Sequence, residues 1–357
     1  MQKQIHGGDI YSSHYQMDFS TSISPLGVPD TVRKAYLEAV LTLHQYPDVE
    51  CRELRQALSE HYSVPKDWLI CSSGAAELIY AIAFAKRPRT ALLLEPSFSE
   101  YETAVRLSGC QDVRFYTCRE ETGFLVGTDL LEMITDDLDI FFLCNPNNPT
   151  GVLVPQELML EIVLRCKQKN VLLVLDECYV GLLRQPKQVT MLRQIGGNEN
   201  LFLINAFTKM YAMPSLRLGF GISSDTVFLE KVRDLLQPWN VSGPAQACGI
   251  AALQDPGYVR RVRICVREEM TYLRETFDRI GITWYGSEGN FMFFKGPEDL
   301  FSRCGREGIL IRDCSSYRGL GPGFFRVAAK TRRENEKLCG ILENIYHENH
   351  RRGKPED

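Results

Sequence analysis

Asn205-Ala-Phe-Thr-Lys-Met-Tyr-Ala-Met-Pro-Ser-Leu-Arg-Leu-Gly219 is the stretch on which the reading of this chain turns. It leaves one apolar run, Leu201-Phe-Leu-Ile204, and enters another at 218–222. Both have the composition of buried strands. Lys209 sits just past the first strand end, where burying an ammonium costs several kcal/mol or more unless its charge is neutralised. A Schiff base removes that difficulty: the amine becomes an imine to an aldehyde cofactor, and an arginine such as Arg217 can hold the cofactor's phosphate. A lone lysine in such a place is more often a surface residue of a loop. The rest of the chain decides.

Outward from this stretch, strands and helices alternate. Strand-like runs fall at 68–71, 90–94, 113–117, 139–143, 171–175, 201–204 and 218–222, with helical segments at 29–43, 49–62, 76–86, 99–107, 130–134 and 156–168. The runs at 171–175, 201–204 and 218–222 are continuously apolar, as in strands covered on both faces of a mostly parallel sheet. The expected class is α/β, a seven-stranded sheet with helices on both faces. After Gln237-Pro-Trp-Asn-Val-Ser-Gly-Pro244 the texture changes to a helical block at 245–280, interrupted at Asp255-Pro-Gly257. Strands at 282–284, 290–294, 309–311 and 324–328 and a helix at 332–347 follow. The expected organisation is an N-terminal arm (1–30), a large domain (31–244) and a smaller α+β C-terminal domain (245–357), ending in a frayed tail from 351. The arm, rich in Gly, Ser and Pro, lacks the periodicity of a core element.

The 357 residues carry a net charge of -4, so nothing in the balance points to a nucleic acid or an anionic membrane surface. No apolar run approaches a membrane span, and Met1-Gln-Lys-Gln-Ile-His6 contains no apolar leader, so a cytoplasmic protein is expected. Twelve cysteines are scattered without a Cys-x-x-Cys pair. They read as reduced, core-filling thiols, and no spacing supports a metal site.

Ligand sites in open parallel sheets form beyond the carboxyl ends of the strands. Four clusters lie at such ends: Ser73-Gly-Ala-Ala76, Asn145-Pro-Asn-Asn-Pro-Thr-Gly151, Asp176-Glu-Cys-Tyr179 and Lys209. Amides at a helix start preceded by glycine suit a phosphate. An aspartate after an apolar strand suits a protonated pyridine nitrogen, and Tyr179 or Asn148 can reach a phenolate oxygen. Taken singly, the Gly-Ala-Ala turn and Asp176 have ordinary structural readings. The asparagine loop is more specific, because two X-Pro bonds and three asparagines in seven residues specify a rigid, hydrogen-bonding loop.

These elements together resemble fold-type I pyridoxal-phosphate enzymes of the aspartate aminotransferase superfamily, over essentially the whole chain. The resemblance implies pyridoxal 5'-phosphate as cofactor, Lys209 as the Schiff-base lysine and Asp176 as partner of the pyridine nitrogen. It implies Asn148 and Tyr179 on the ring oxygen, Arg217 with the Gly74, Ala75 and Thr208 region on the phosphate, and Phe98 stacked on the ring. Tyr46, in Tyr-Pro-Asp, resembles the tyrosine that reaches the neighbouring subunit's phosphate, which implies a homodimer.

Two branches compete. Histidinol-phosphate aminotransferases share the Asn-Pro-Thr-Gly, Asp-x-x-Tyr and Leu-Arg-Leu-Gly elements. His6-Gly-Gly-Asp9, Thr208-Lys-Met-Tyr-Ala-Met-Pro214, and Ile309-Leu-Ile-Arg-Asp-Cys-Ser-Ser-Tyr-Arg-Gly-Leu320 with Phe325-Arg-Val-Ala328 resemble instead the threonine-phosphate decarboxylases of cobalamin biosynthesis. That resemblance implies a phosphorylated amino-acid substrate, with Arg312 and Arg326 on its two anionic groups and His6 and Gly7 closing over it. Two departures stand out. Ser22-Ile-Ser-Pro25 replaces the usual Asn-x-Asn-Pro, whose first asparagine contacts substrate, so Ser22 is expected to alter substrate binding. Ala206 replaces a serine that donates to the cofactor phosphate, a loss Thr208 could offset. A regulator that borrowed the fold would need a DNA-binding segment, and the arm carries no basic helix-turn-helix pattern.

Overall fold

The computed structural model describes residues 6–352; the last helix, Arg332–Arg352, takes in the first two residues of the tail expected from 351, and the rest of that tail lies outside the described residues. After a two-residue strand β1 (Met17–Asp18), seven strands build the main sheet: β2 (Leu69–Ser72), β3 (Thr90–Glu95), β4 (Asp112–Thr117), β5 (Ile140–Cys144), β6 (Leu172–Asp176), β7 (Leu201–Ala206) and β8 (Gly219–Ser223). Their spatial order is β2-β8-β7-β6-β5-β3-β4. Every pairing is parallel except the two made by β8, which is antiparallel to both β2 and β7.

Side chains alternate across the sheet, so each strand feeds two cores. Leu92, Leu94, Phe141, Leu143, Leu173 and Leu175 point to one face. Leu93, Ile140, Phe142, Leu172, Val174 and Ile204 point to the other, against the helices Ala75–Lys86, Glu100–Leu107 and Thr226–Arg233. Each fully buried Leu, Ile or Phe contributes roughly 1.5–3 kcal/mol, which is why the apolar runs are unbroken. The first face also meets the helix Gln156–Gln168, and its core runs on to the helix Pro256–Ile280.

The remaining strands, β9 (Trp284–Tyr285), β10 (Phe291–Lys295), β11 (Ile309–Leu310), β12 (Arg312–Asp313) and β13 (Phe324–Ala328), form a four-stranded antiparallel sheet ordered β12-β13-β10-β9, plus a separate pair, β11 with β1. The single strand expected at 309–311 is therefore two: the chain changes partner at Ile311, pairing in parallel with the arm before it and antiparallel with β13 after it. The arm also departs from expectation. Phe19 and Ser22 have no solvent exposure, and Ala328 N donates to the carbonyl of Phe19 at 2.8 Å, so residues 17–24 are a built part of the core. All twelve cysteines are free thiols. No helix among the described residues is long and apolar enough to cross a membrane.

Candidate active site

The antiparallel β8 explains how residues far apart in sequence meet. Parallel strands deliver Ser73, Phe98, Asn148, Asp176 and Lys209 to their common carboxyl edge. A strand of opposite sense presents its entry there, and Arg217 is two residues before β8 begins. Gly219 is paired with both Ser72 and Ala206. A Cβ at Gly219 would lie 2.6 Å from the amide nitrogen of Ala75, and one at Gly74 (φ +84°) 2.6 Å from Arg217 Nη2. Gly219 lets β8 pass against the start of the helix Ala75–Lys86, and Gly74 leaves room there for the guanidinium. No side chain caps that helix start. Its first amides and Arg217 converge as an anion cradle.

Asp176 ends β6 and is 7% exposed. Its Oδ2 accepts from Tyr101 Oη at 2.7 Å and its Oδ1 from Cys178 N at 2.9 Å. Burial, with Asp176 alongside, pushes the Tyr101 phenol well up, so Tyr101 keeps its proton and donates. Lys209 lies one turn past β7, with Nζ 5.5 Å from the centre of the Tyr179 ring. Tyr179 packs edge-on against Phe291, and its hydroxyl is 2.9 Å from Ser22 Oγ.

The asparagine loop divides its labour. Asn145 Oδ1 accepts from Val154 N at 2.9 Å. Asn147 Nδ2 donates to Pro96 O and Thr150 Oγ1, and its Oδ1 accepts from Ser97 Oγ. Those two asparagines hold the loop; Asn148 faces the cleft. Its Oδ1 accepts from Arg326 Nη1 and, at 3.3 Å, from Tyr317 Oη. An arginine can only donate, so the Asn148 amide nitrogen is the donor turned to the cleft.

Arg312 and Arg326 are directly paired across β12 and β13, 5% and 6% exposed. Arg326 Nη2 donates to Ser20 O at 2.9 Å, and its Nε is buried without a hydrogen-bond partner. The guanidinium of Arg326 lies over Phe291 and that of Arg312 over Tyr317. Among the described residues no carboxylate is within ion-pair distance of either. Two like charges side by side on one sheet face are unfavourable alone, so the pair suits an anionic ligand. Beside Arg312, a cavity of about 310 Å³ is lined by His6, Gly7, Ser20 and Ser315. His6 Nε2 is 3.2 Å from Glu100 Oε1, and Gly7 abuts the Ser20 carbonyl too closely to admit a Cβ.

The cleft thus gathers nearly all the expected residues: Gly74, Ala75, Phe98, Asn148, Asp176, Tyr179, Lys209, Arg217, Ser22, Arg312 and Arg326, with His6 and Gly7 at its rim. Phe98 is half-buried, edge-on to Tyr101 at 5.6 Å. Thr208 is half-buried beside Lys209, two residues past Ala206. Tyr46 stands apart in the single chain, 81% exposed, with its ring 4.7 Å from that of Trp239. Three further residues escaped sequence reasoning: Tyr101, Tyr317 and Ser20. Tyr101 had a detectable signal, being one helical turn past Phe98; the other two act through contacts that only the fold makes.

An anion cradle, a buried carboxylate held by two donors, a lysine beside a tyrosine and an outward amide donor fit pyridoxal phosphate. Residues 15–342 match the family model described as Aminotransferase class I and II. The chain is 34% identical over 352 residues to a threonine-phosphate decarboxylase of Salmonella typhimurium, covering 95% of this chain and 96% of that one. It is similar to the crystal structure of the histidinol-phosphate aminotransferase from Clostridium acetobutylicum (27% identity, TM-score 0.86, 93% of this chain, 99% of that one). It is also similar to that of L-threonine-O-3-phosphate decarboxylase from Porphyromonas gingivalis (27% identity, TM-score 0.78, 92% of this chain, 99% of that one).

Proposed function

The chain belongs to the class I and II aminotransferase family, and on that premise we propose that it decarboxylates L-threonine O-3-phosphate to 1-amino-2-propanol phosphate, a step of cobalamin biosynthesis, using pyridoxal phosphate. When bound, the cofactor supplies an electron sink for the bond broken at the substrate's Cα. Lys209 holds its aldehyde carbon, Asp176 its ring nitrogen, and Tyr179 and Asn148 donate to its ring oxygen. Arg217, with the amides of the helix start, holds its phosphate; Thr208 supports them and Phe98 covers the ring. Tyr46 reaches the phosphate of a second copy in a homodimer.

The observation that carries the substrate reading is the cross-strand pair Arg312 and Arg326, buried and without carboxylate partners among the described residues. Two forks hold two anionic groups, a carboxylate and a phosphate, in fixed relation. They would thereby fix the direction of the carboxylate relative to the rest of the substrate. The carboxyl group would leave as carbon dioxide, and Lys209 Nζ would supply the proton that takes its place at Cα. The similarity to the Salmonella enzyme, at 34% identity over nearly the full length, supports this branch.

Transamination of histidinol phosphate with 2-oxoglutarate is the second reading, favoured by the higher TM-score to the Clostridium structure. Incubation with threonine phosphate, serine phosphate and histidinol phosphate, assaying carbon dioxide and 2-oxoglutarate-dependent glutamate separately, decides between them. The expected result is carbon dioxide from a phospho-amino acid, lost in Arg312→Ala. Serine phosphate lacks one methyl, worth only ~1 kcal/mol, so it is expected to be a weaker substrate rather than inert. Glutamate from histidinol phosphate, with no carbon dioxide from either phospho-amino acid, reverses the reading.

A further inference from the structure

Ser22 is fully buried, and its hydroxyl lies 2.9 Å from Tyr179 Oη. The segment carrying it is tied down next to that contact. Asn290 Nδ2 donates to Ile23 O at 3.0 Å, and Ser24 N donates to the carbonyl of Lys209 at 2.8 Å. Tyr258 Oη, 2.9 Å from Ser24 Oγ, fixes the next residue but one. Tyr179 is equally constrained between Phe291 and Lys209, and the other ionisable groups facing this pair are Arg326 of β13, Tyr317 of the loop before it and Lys330 just after it. The serine is thus built against the phenol.

A phenol has one proton to donate, whereas a serine hydroxyl can donate and accept. If Tyr179 gives its proton to the cofactor's ring oxygen, the Ser22 contact persists only with Ser22 as donor. Donation into a phenol polarises it and makes it a stronger donor in turn. We propose that Ser22 is a positioning residue that donates to Tyr179, strengthens its hydrogen bond to the cofactor's ring oxygen, and so lowers the pH at which the lysine-bound cofactor loses its proton. The proposal rests on the cofactor assignment made above.

The test is a pH titration of the visible absorbance of reconstituted enzyme, with cofactor affinity measured by fluorescence quenching. Ser22→Ala is expected to raise the titration midpoint by a few tenths of a pH unit. Ser22→Thr, which keeps the hydroxyl, should restore it. Ser22→Cys keeps the shape with a much weaker donor and should shift the midpoint in the same direction as alanine, even should the alanine variant fold poorly. In a Tyr179→Phe background the Ser22→Ala change should have no further effect. An unchanged or lowered midpoint in both Ser22→Ala and Ser22→Cys overturns the proposal, as does the same upward shift on adding Ser22→Ala to the Tyr179→Phe variant. Failure of the underlying cofactor assignment looks different: a Lys209→Ala chain would retain cofactor that borohydride fixes to the protein.

Discussion

Asp176 and Glu177 are adjacent carboxylates whose surroundings assign them different work. Asp176 accepts from a phenol and a backbone amide at the cleft. Glu177 turns the other way, accepting from Thr190 Oγ1 at 2.5 Å and Met191 N at 2.8 Å, and burial pushes its carboxyl up to about 7. A raised carboxyl binds its proton more tightly folded than unfolded. Its contribution to stability is complete below the ordinary value of 4.5 and is lost as pH rises through about 7, up to ~3 kcal/mol in all. Glu177→Gln removes that titration, so its unfolding midpoint should fall less than that of the wild type between about pH 5 and about pH 8. Parallel midpoints for the two proteins over that span would show that Glu177 is ionised in the fold. At the cleft, Lys209→Ala should lose the borohydride-reducible visible absorbance. Asp176→Asn should keep cofactor but lose most turnover, because the ring nitrogen is no longer held protonated. Normal turnover in Asp176→Asn would remove that residue from the site.

Elements show why much of the architecture was legible in sequence and some was not. Continuous apolar runs reveal buried strands, and the strand-end rule then locates Gly74, Asn148, Asp176 and Lys209. An apolar run carries no direction, however, so the reversal of β8 that brings in Arg217 had no signature. The burial of Ser20, Ser22 and Ser24 was equally hidden, because a polar residue enters a core only where the fold supplies partners, here Tyr179 and Tyr258 for the latter two. One helix has a further role. Glu100 and Glu102, in the first turn of Glu100–Leu107, receive His6 from the arm and Arg318 from the loop before β13. Arg318 donates to Glu102 at 2.8 and 3.0 Å and lies over the Phe115 ring at 4.5 Å. The same loop carries Tyr317, which donates to Asn148. Arg318→Ala should therefore loosen the cleft wall and raise the substrate KM by up to about 5-fold, the range of an exposed ion pair. Glu102→Ala should add little to it, and the effect should shrink in high salt. Additive losses in the double variant would mean that the two residues act separately.

At the scale of the molecule, one surface does not suit an isolated chain. The helix Asp30–Ala39 and the turn after it have the apolar spacing of a core helix, and Val32 and Ala39 are buried. Yet Leu37, Leu41 and Leu43 are 70%, 78% and 63% exposed, close in sequence to Tyr46, whose ring rests on Trp239. Large exposed apolar side chains gathered on one short segment suit an interaction face. It agrees with the expected homodimer, in which Tyr46 completes the phosphate site of the other protomer. The arrangement has a consequence for mixed dimers. A Tyr46→Phe chain and a Lys209→Ala chain should each form impaired homodimers. Combined, they give a dimer in which one site has both defects and the other has neither, since the Lys209 of the first chain is completed by the Tyr46 of the second. Mixing and refolding the two chains should therefore restore activity toward half that of wild type per heterodimer. No recovery, despite heterodimers confirmed by differential tagging, would show that Tyr46 serves its own chain. A fully active monomer in sedimentation would exclude the shared site altogether.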